Sequence, residues 1–557
     1  MSRKRITNDL LHNHVARSTA TATVPPARRH QMSSLHVWTT ATAVIVSLLL
    51  LTRAITSKKT SKFSSLPLPP GPPPLPIIGN LHQAPKTHPW FQFHTWAKTY
   101  GPVLHLNMAG QHVIVLSTNK AAHDLLARQG ATFSNRPHFV VAHELALQGM
   151  HMLLRPYDQR FKLHQKLESP VLGERAAKAY VKIQDLESKQ LLVDLLRGGG
   201  KPINPHDEIE RMTASVIYTL FYGQRVREVN DAILLQAHAV NHEFDQLAQV
   251  GKYLVDSFPV LNRLPGFLAP WKAEAAEHWG KQRAIHVGNL ERGLYGRSWN
   301  VARQMKRAVN GMGKVVMSVD ELALDIGIMA DAALDASTET IMWFVLACVT
   351  EGHRGWVDKA QGDLDRVVGR GRLPSFDDRA GLPYVTAAVN ELMRWRPAGA
   401  AGVPHFTKVE SSYEGWRIPA NSVVIPNHWA ITREEAVFGP DVEAFVPERW
   451  LGEELPIVGF GYGRRICPGR HVARNGLWIA VARLLWAFDI MPELNELGAP
   501  VDVDTKGTDG LVTKALPFKA RFVPRGNWVR DVVSRECDTW GVDHHDVLDQ
   551  IGREVFN

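Results

Sequence analysis

The chain has 557 residues, 45% of them hydrophobic and 21% charged, a balance that suits a large buried core and excludes a wholly disordered protein. Three cysteines, Cys348, Cys467 and Cys537, exclude a disulfide framework and place the folded part in a reducing compartment. The net charge of +9 is confined to one end: residues 1–62 carry ten Lys/Arg against one acid, Asp9, and residues 63–557 hold 54 of each sign, so no nucleic-acid partner is expected.

Residues 1–34 are polar, basic and aperiodic, which predicts a disordered tail; their Arg, Ser and Thr content also suits a transit peptide. Residues 35–52 are apolar, centred on Val44-Ile45-Val46 and Leu48 to Leu51, and are closed by Arg53. The stretch is at the short end for a membrane-spanning helix, and Lys58, Lys59 and Lys62 follow it without a small-residue cleavage site. We read it as a retained single-pass anchor in preference to a secretory signal. Basic residues on both sides leave its orientation open. Residues 53–80 turn proline-rich from Pro67 to Pro76, which forbids helix and predicts a stiff, extended hinge, although an SH3 ligand has the same composition.

Residues 81–525 read as one globular domain. A helix over Trp90–Tyr100 is stopped by Gly101-Pro102, a hairpin over Val103–Asn107 and His112–Leu116 turns at Ala109-Gly110, and Lys120–Gln129 is helical. A loop opens at Phe133-Ser134-Asn135-Arg136-Pro137. Residues 175–315 are mostly helical. Val319–Thr350 holds no proline and is apolar on most sides, which predicts a long buried helix. Glu391 and Arg394 are spaced to pair on one helix face. A small β region is expected around 403–421 and a last strand over Pro517–Arg525. Residues 526–557 read as a loosely docked amphipathic tail, with a metal site from Cys537, His544 and His545 as the remote alternative.

The most specific stretch is Phe460-Gly461-Tyr462-Gly463-Arg464-Arg465-Ile466-Cys467-Pro468-Gly469, F-x-x-G-x-R-x-C-x-G. Glycines let a backbone pass close to a flat ligand, and amides at the start of the following helix can stabilise a thiolate at Cys467. Arg465 places a cation beside an anionic group of that ligand. A lone cysteine here would be a buried structural residue; five specified positions in ten favour a metal ligand.

This stretch resembles the haem-binding loop of the cytochrome P450 family, and the similarity extends over about four-fifths of the chain. The resemblance implies a mainly α cytochrome P450 fold with small β-sheet regions, preceded by the N-terminal membrane anchor. It implies haem b with Cys467 as axial iron ligand, and Phe460, Gly463, Arg465 and Gly469 as cofactor-binding loop positions. His405 in Val403-Pro404-His405 matches a frequent donor to a haem propionate. Glu391 and Arg394 with Arg449 of Pro447-Glu448-Arg449-Trp450 match a buried structural triad.

Two family motifs are altered. Where the family has W-R-x-x-R, this chain has Phe161-Lys162-Leu163-His164-Gln165. Lys162 keeps a charge without the arginine fork, so a weaker clamp is expected, or one re-routed through His164 or Lys166, unless these residues simply face solvent. Where the family's long helix has A-G-x-D-T-T, Ala332-Ala333-Leu334-Asp335-Ala336-Ser337 aligns, making Asp335 the acid, Ala336 the replaced threonine, and Ser337 or Thr338 the relay hydroxyl. A second register gives these roles to Glu339 and Thr340.

The function this implies is an NADPH-dependent monooxygenase acting on a lipophilic small molecule, of a fungal secondary-metabolite type. No flavin or dinucleotide motif is present in the chain, so electrons come from a separate NADPH–cytochrome P450 reductase, with cytochrome b5 as a further candidate donor. The anchor implies the endoplasmic reticulum membrane with a cytosolic catalytic domain. Two alternatives stand: an electron-independent isomerase or dehydratase on the same fold, kept open by Ala336, and a non-catalytic haem binder.

Overall fold

A 33-residue helix, Val319–Glu351, runs through the centre of the molecule, and the rest of the fold is laid against it. Ser318 caps it by accepting the Glu321 amide, and Asp320 and Glu321 complement the positive end of its dipole. It is the one described helix long and apolar enough to span a bilayer, and it is mostly buried inside the protein, as the core helix of a folded domain is. The computed structural model describes residue 63 and residues 65–249, 251–313, 317–352, 355–452 and 454–556. The tail 1–34 and the anchor 35–52 lie outside these residues.

In chain order the principal helices are α1 (Pro89–Tyr100), α2 (Gln159–Leu172), α3 (Glu174–Arg197), α4 (His206–Tyr222), α5 (Ala232–Leu247), α6 (Pro270–Tyr295), α7 (Val301–Gly311), α8 (Val319–Glu351), α9 (Trp356–Val367), α10 (Pro383–Trp395), α11 (Arg470–Ala487), α12 (Asn527–Glu536) and α13 (His544–Phe556). Strands β1 (Val103–Met108), β2 (Gln111–Leu116), β7 (Ser422–Pro426) and β4 (His405–Thr407) form one sheet in that order, with β2 and β7 parallel. Strands β5 (Ser411–Tyr413) and β6 (Trp416–Ile418) pair alone, and β3 (Pro202–Ile203), β9 (Ala520–Pro524) and β8 (Phe488–Pro492) make a third sheet. The predicted hairpin is β1–β2. Its turn is Ala109-Gly110, both at positive φ.

Trp343, Phe344, Trp395, Trp478 and Trp486 are buried in one core shared by α8, α10 and α11. A second core joins α4, α7 and the first half of α8. The helix predicted over Lys120–Gln129 is instead one α turn, Asn119–Ala122, passing into a π-helical stretch, His123–Arg128.

Two segments are held more firmly than expected. The proline run docks on two sheets: Pro70 accepts from the His105 amide of β1 at 3.0 Å, and Pro67 from the Arg417 amide of β6 at 2.8 Å. A Cβ on Gly71 would lie 2.2 Å from the His105 carbonyl oxygen, so the backbones touch. Residues 65–80 are therefore sheet edging and not a free spacer. The C-terminal segment is no loose tail. Val529, Val532 and Val533 of α12 enter the first core, and Leu548 and Ile551 of α13 enter the second. Cys537 is buried in that first core; Asp543, not Cys537, groups with His544 and His545.

Candidate active site

The loop carrying Cys467 is tied at both ends. The Cys467 amide donates to the Phe460 carbonyl at 2.8 Å, and Phe460 packs against the first core. Gly463 has φ 57, and a Cβ there would sit 2.3 Å from the Leu126 carbonyl oxygen, so only glycine lets the loop pass the π-helical stretch. Gly469 is the residue before α11, and a Cβ there would stand 3.9 Å from Sγ. Burial pushes the Cys467 thiol up, while the amides of Gly469 and Arg470 and the Arg470 charge pull it down. A sulfur already met by two N–H donors, yet too desolvated to ionise alone, is matched to a cation that replaces its proton.

Above the loop, three basic side chains gather, Arg136 and His405 buried and Arg465 half-buried. Arg465 donates to the carbonyls of Ser134 (2.8 Å) and Arg155 (2.5 Å), and its guanidinium lies 3.8 Å from the centre of the Phe161 ring. Arg136 donates to the carbonyls of Leu153, Val403 and Pro404. His405 Nδ1 is 2.7 Å from the Phe133 carbonyl oxygen. Burial, then the neighbouring Arg136, drives His405 well below its usual range, and burial with the Arg465 charge does the same to Arg136. Burial lowers Arg465 to about 10. Basic groups that repel one another and bond only neutral carbonyls form a site for anions, which fits the two carboxylates of haem b. Sequence reasoning assigned Arg465 and His405 here but left Arg136 without a role in the loop that opens at Phe133. Its signal was an arginine just before a proline, which turns the chain inward.

Lys162 is placed elsewhere. It is exposed, with its ammonium 5.6 Å over the Tyr157 ring. Lys166 is exposed too. His164 is fully buried, but both its ring nitrogens face carboxylates of α8: Nε2 lies 2.9 Å from Glu321 and Nδ1 2.8 Å from Asp325. A re-routed clamp through His164 or Lys166 is thus not formed. Burial alone would lower His164; the Asp325 and Glu321 carboxylates that its ring nitrogens face overcome it and raise the ring to about 9. A raised pKa adds stability that is complete below the unfolded value, near 6.5, and is lost as pH rises through about 9. The stabilisation is on the order of 3 kcal/mol. Denaturant midpoints of the full chain should fall from pH 6.5 to 9.5, and Asp325→Asn should flatten that decline.

On α8, Ala332 is exposed and Ala333 and Ala336 are half-buried, in a helix whose neighbouring Ala330 and Leu334 are buried. Ala332, Ala333 and Ala336 lie within about 100° of one another and so share one side of α8. Thr340 lies on the same side, its hydroxyl donating to the Ala336 carbonyl at 2.6 Å. Asp335 flanks this side and pairs with Lys514 at 3.5 Å, and Ser337 flanks it half-buried on the other edge. Thr338 points about 200° away from Ala336. Its hydroxyl is 2.5 Å from that of Thr213 on α4, a buried helix-to-helix contact that takes it out of the relay side. Glu339 of the second register accepts from the Ala515 amide and faces His206 at 3.4 Å.

Glu391 and Arg394 are completely buried and share two hydrogen bonds of 2.7 and 2.8 Å. Glu391 also accepts from the Val446 amide and the Trp450 indole, and Arg394 reaches the carbonyls of Thr432, Val442 and Ala444. Arg449 stands 3.4 Å from Glu391 and spends its other nitrogens on the carbonyls of Phe438, Pro440 and Asp441. The strap that precedes the cysteine loop is thereby fastened to α10.

The cytochrome P450 family model matches residues 69–522. Cytochrome P450 monooxygenase aneD of Aspergillus aculeatus is 40% identical over 459 residues, 81% of this chain and 87% of that protein. Cytochrome P450 monooxygenase FrzL of a Cladobotryum species is 35% identical over 501 residues, 89% and 94% of the two chains. The echilunin cytochrome P450 monooxygenase of Aspergillus ruber is 32% identical over 510 residues, 88% and 91%. With the cysteine loop and the carbonyl-bound basic cluster in place, these matches make the chain a member of the cytochrome P450 family, a monooxygenase whose cofactor is haem b.

Proposed function

We propose that this enzyme oxidises a lipophilic small molecule in a fungal secondary-metabolite pathway, with Cys467 as axial ligand and Arg465, Arg136 and His405 holding the haem carboxylates. The observation that carries this is the Cys467 sulfur, half-buried and facing two helix-start amides. Bound haem supplies a thiolate-ligated iron that activates dioxygen. The chain's own part is to seat the cofactor, exclude water and deliver protons. Asp335, held by Lys514 at the edge of the Ala336 side, moves protons at its carboxylate, and Ser337 or a water beside Ala336 takes the place of the missing threonine. Asp335→Asn should lower turnover about a hundredfold, the usual scale of a lost proton-transfer group, whereas Thr338→Val should leave turnover nearly unchanged and lower only the melting temperature.

The exposed apolar side chains Leu254, Val260 and Phe267, and Ile77 in the docked proline segment, support a membrane-associated domain, with residues 35–52 as its anchor in the endoplasmic reticulum. Arg464, Arg470 and Arg474 beside the cysteine loop suit an acidic reductase surface. Ala336 also supports a second reading, an electron-independent isomerase or dehydratase.

Haem reduction under carbon monoxide separates these readings, with NADPH and a microsomal reductase in one arm and dithionite in the other. A red-shifted thiolate band in both arms supports the monooxygenase, and Arg474→Glu should then slow the NADPH arm alone. The band with dithionite only favours the isomerase. Its absence from both removes Cys467 as the ligand.

A further inference from the structure

Helix α2 carries Arg160, His164 and Glu168 four residues apart, and α8 carries Glu321 and Asp325 with the same spacing. The two rows interdigitate. Arg160 Nε donates to Glu321 at 2.6 Å, and its other nitrogen meets the second Glu321 oxygen. His164 bridges Glu321 and Asp325, the latter contact an ion pair rather than a directed hydrogen bond. Glu168, the last rung, is buried; burial, then the charge of the neighbouring Asp325, pushes its carboxyl well above the usual range. The rows thus run from half-exposed Arg160 at one end to the buried carboxyl of Glu168 at the other.

That far end lies in the field of Arg465 and of Cys467. Phe161 and Glu168 are about 20° apart around α2, and the nearest cation on that side, His164, is taken up by Glu321 and Asp325. The cations of the altered motif, Lys162 and Lys166, are on the exposed side. This helix therefore cannot clamp a haem carboxylate itself. It can fix the group that does: the Phe161 face lies 3.8 Å from the Arg465 guanidinium, and a shift of α2 would move that platform.

Resting on the haem reading above, we propose that the interdigitated rows of α2 and α8 are a positioning device that holds Phe161 against Arg465, replacing a carboxylate clamp on α2 itself. Arg160, His164, Glu168, Glu321 and Asp325 are positioning residues, acting through Arg465 and not on the cofactor.

The test is haem release from the full-length holoenzyme to excess apomyoglobin, read beside the carboxylate bending band in resonance Raman spectra. Asp325→Asn and Phe161→Leu are expected to release haem about tenfold faster and to shift that band, while Lys162→Ala stays within about twofold of the parent with an unshifted band. His164→Ala should act as Asp325→Asn does; if it does not fold, the isosteric Asp325→Asn carries the test. Release from Lys162→Ala as fast as from Phe161→Leu would overturn the proposal. So would Asp325→Asn with a lowered melting temperature but unchanged release and band, since the rows would then be scaffold only. A parent protein without a thiolate-ligated haem defeats the underlying haem reading, and this inference with it, in a visibly different way.

Discussion

Cys467→Ser is expected to fold, to lose the red-shifted carbon monoxide band, and to lose NADPH-dependent turnover to background. The loop does not depend on the sulfur for its shape: the residue 467 amide still donates to Phe460, and Gly463 still passes Leu126. What changes is the acidity of the group at the site. A thiol in this setting needs only a metal to displace its proton, because the Gly469 and Arg470 amides already face the sulfur. An alcohol is far less acidic and gives the iron no comparable anionic donor. Carbon monoxide spectra and turnover of the purified variant, with melting temperature as the folding control, check the prediction. Retention of the thiolate band by Cys467→Ser would show that another residue is the ligand.

Glu391→Ala is expected to give protein without haem and largely insoluble, a heavier loss of stability than either arginine partner's removal causes. Without the carboxylate, Arg394 stays charged and fully buried, at a cost of about 3–5 kcal/mol. The change also frees the Val446 amide and the Trp450 indole, so the strap before the cysteine loop loses its fastening. Arg394→Leu should be nearly as severe, because the carbonyls of Thr432, Val442 and Ala444 lose their donor. Arg449→Leu should be milder. Arg449 stands farther from Glu391, and its Nε has no hydrogen-bond partner. Haem content per polypeptide, measured in parallel for the three variants, gives the ranking; equal losses at Arg449 and Glu391 would contradict it.

Much of this arrangement was legible in the chain because it rests on local spacing. The F-x-x-G-x-R-x-C-x-G stretch, the hairpin at Ala109-Gly110 and the proline-free run ending in α8 each state their geometry within a few residues. What was not legible depends on distant partners. His164 reads as a clamp candidate or a solvent-facing residue until Glu321 and Asp325 arrive from α8, and Thr338 reads as a relay hydroxyl until Thr213 takes it. The proline run looked free because its acceptors, Pro67 and Pro70, bond to amides of Arg417 and His105. Residues 526–557 looked loose because α12 and α13 each expose one side and bury the other against helices more than two hundred residues earlier in the chain, α3 and α4 among them. Arg136 escaped because its three carbonyl acceptors lie on two separate loops.

The docking of α12 and α13 bears on how the polypeptide matures. Val529 and Val533 complete a core that already contains Leu191 and Trp486, while Trp299 stacks on Phe556 at 5.1 Å and closes over Gly552, where a Cβ would come within 2.7 Å of the indole. Both contacts join segments far apart in sequence, so neither apolar surface is covered until the segment after Gly526 has been made. During synthesis the nascent domain must carry these open faces for hundreds of residues, a period in which chaperones rather than its own packing keep it from aggregating. Shortened forms that stop near residue 525, or fusions that pull α13 away, are therefore expected to fail in expression before they fail in chemistry.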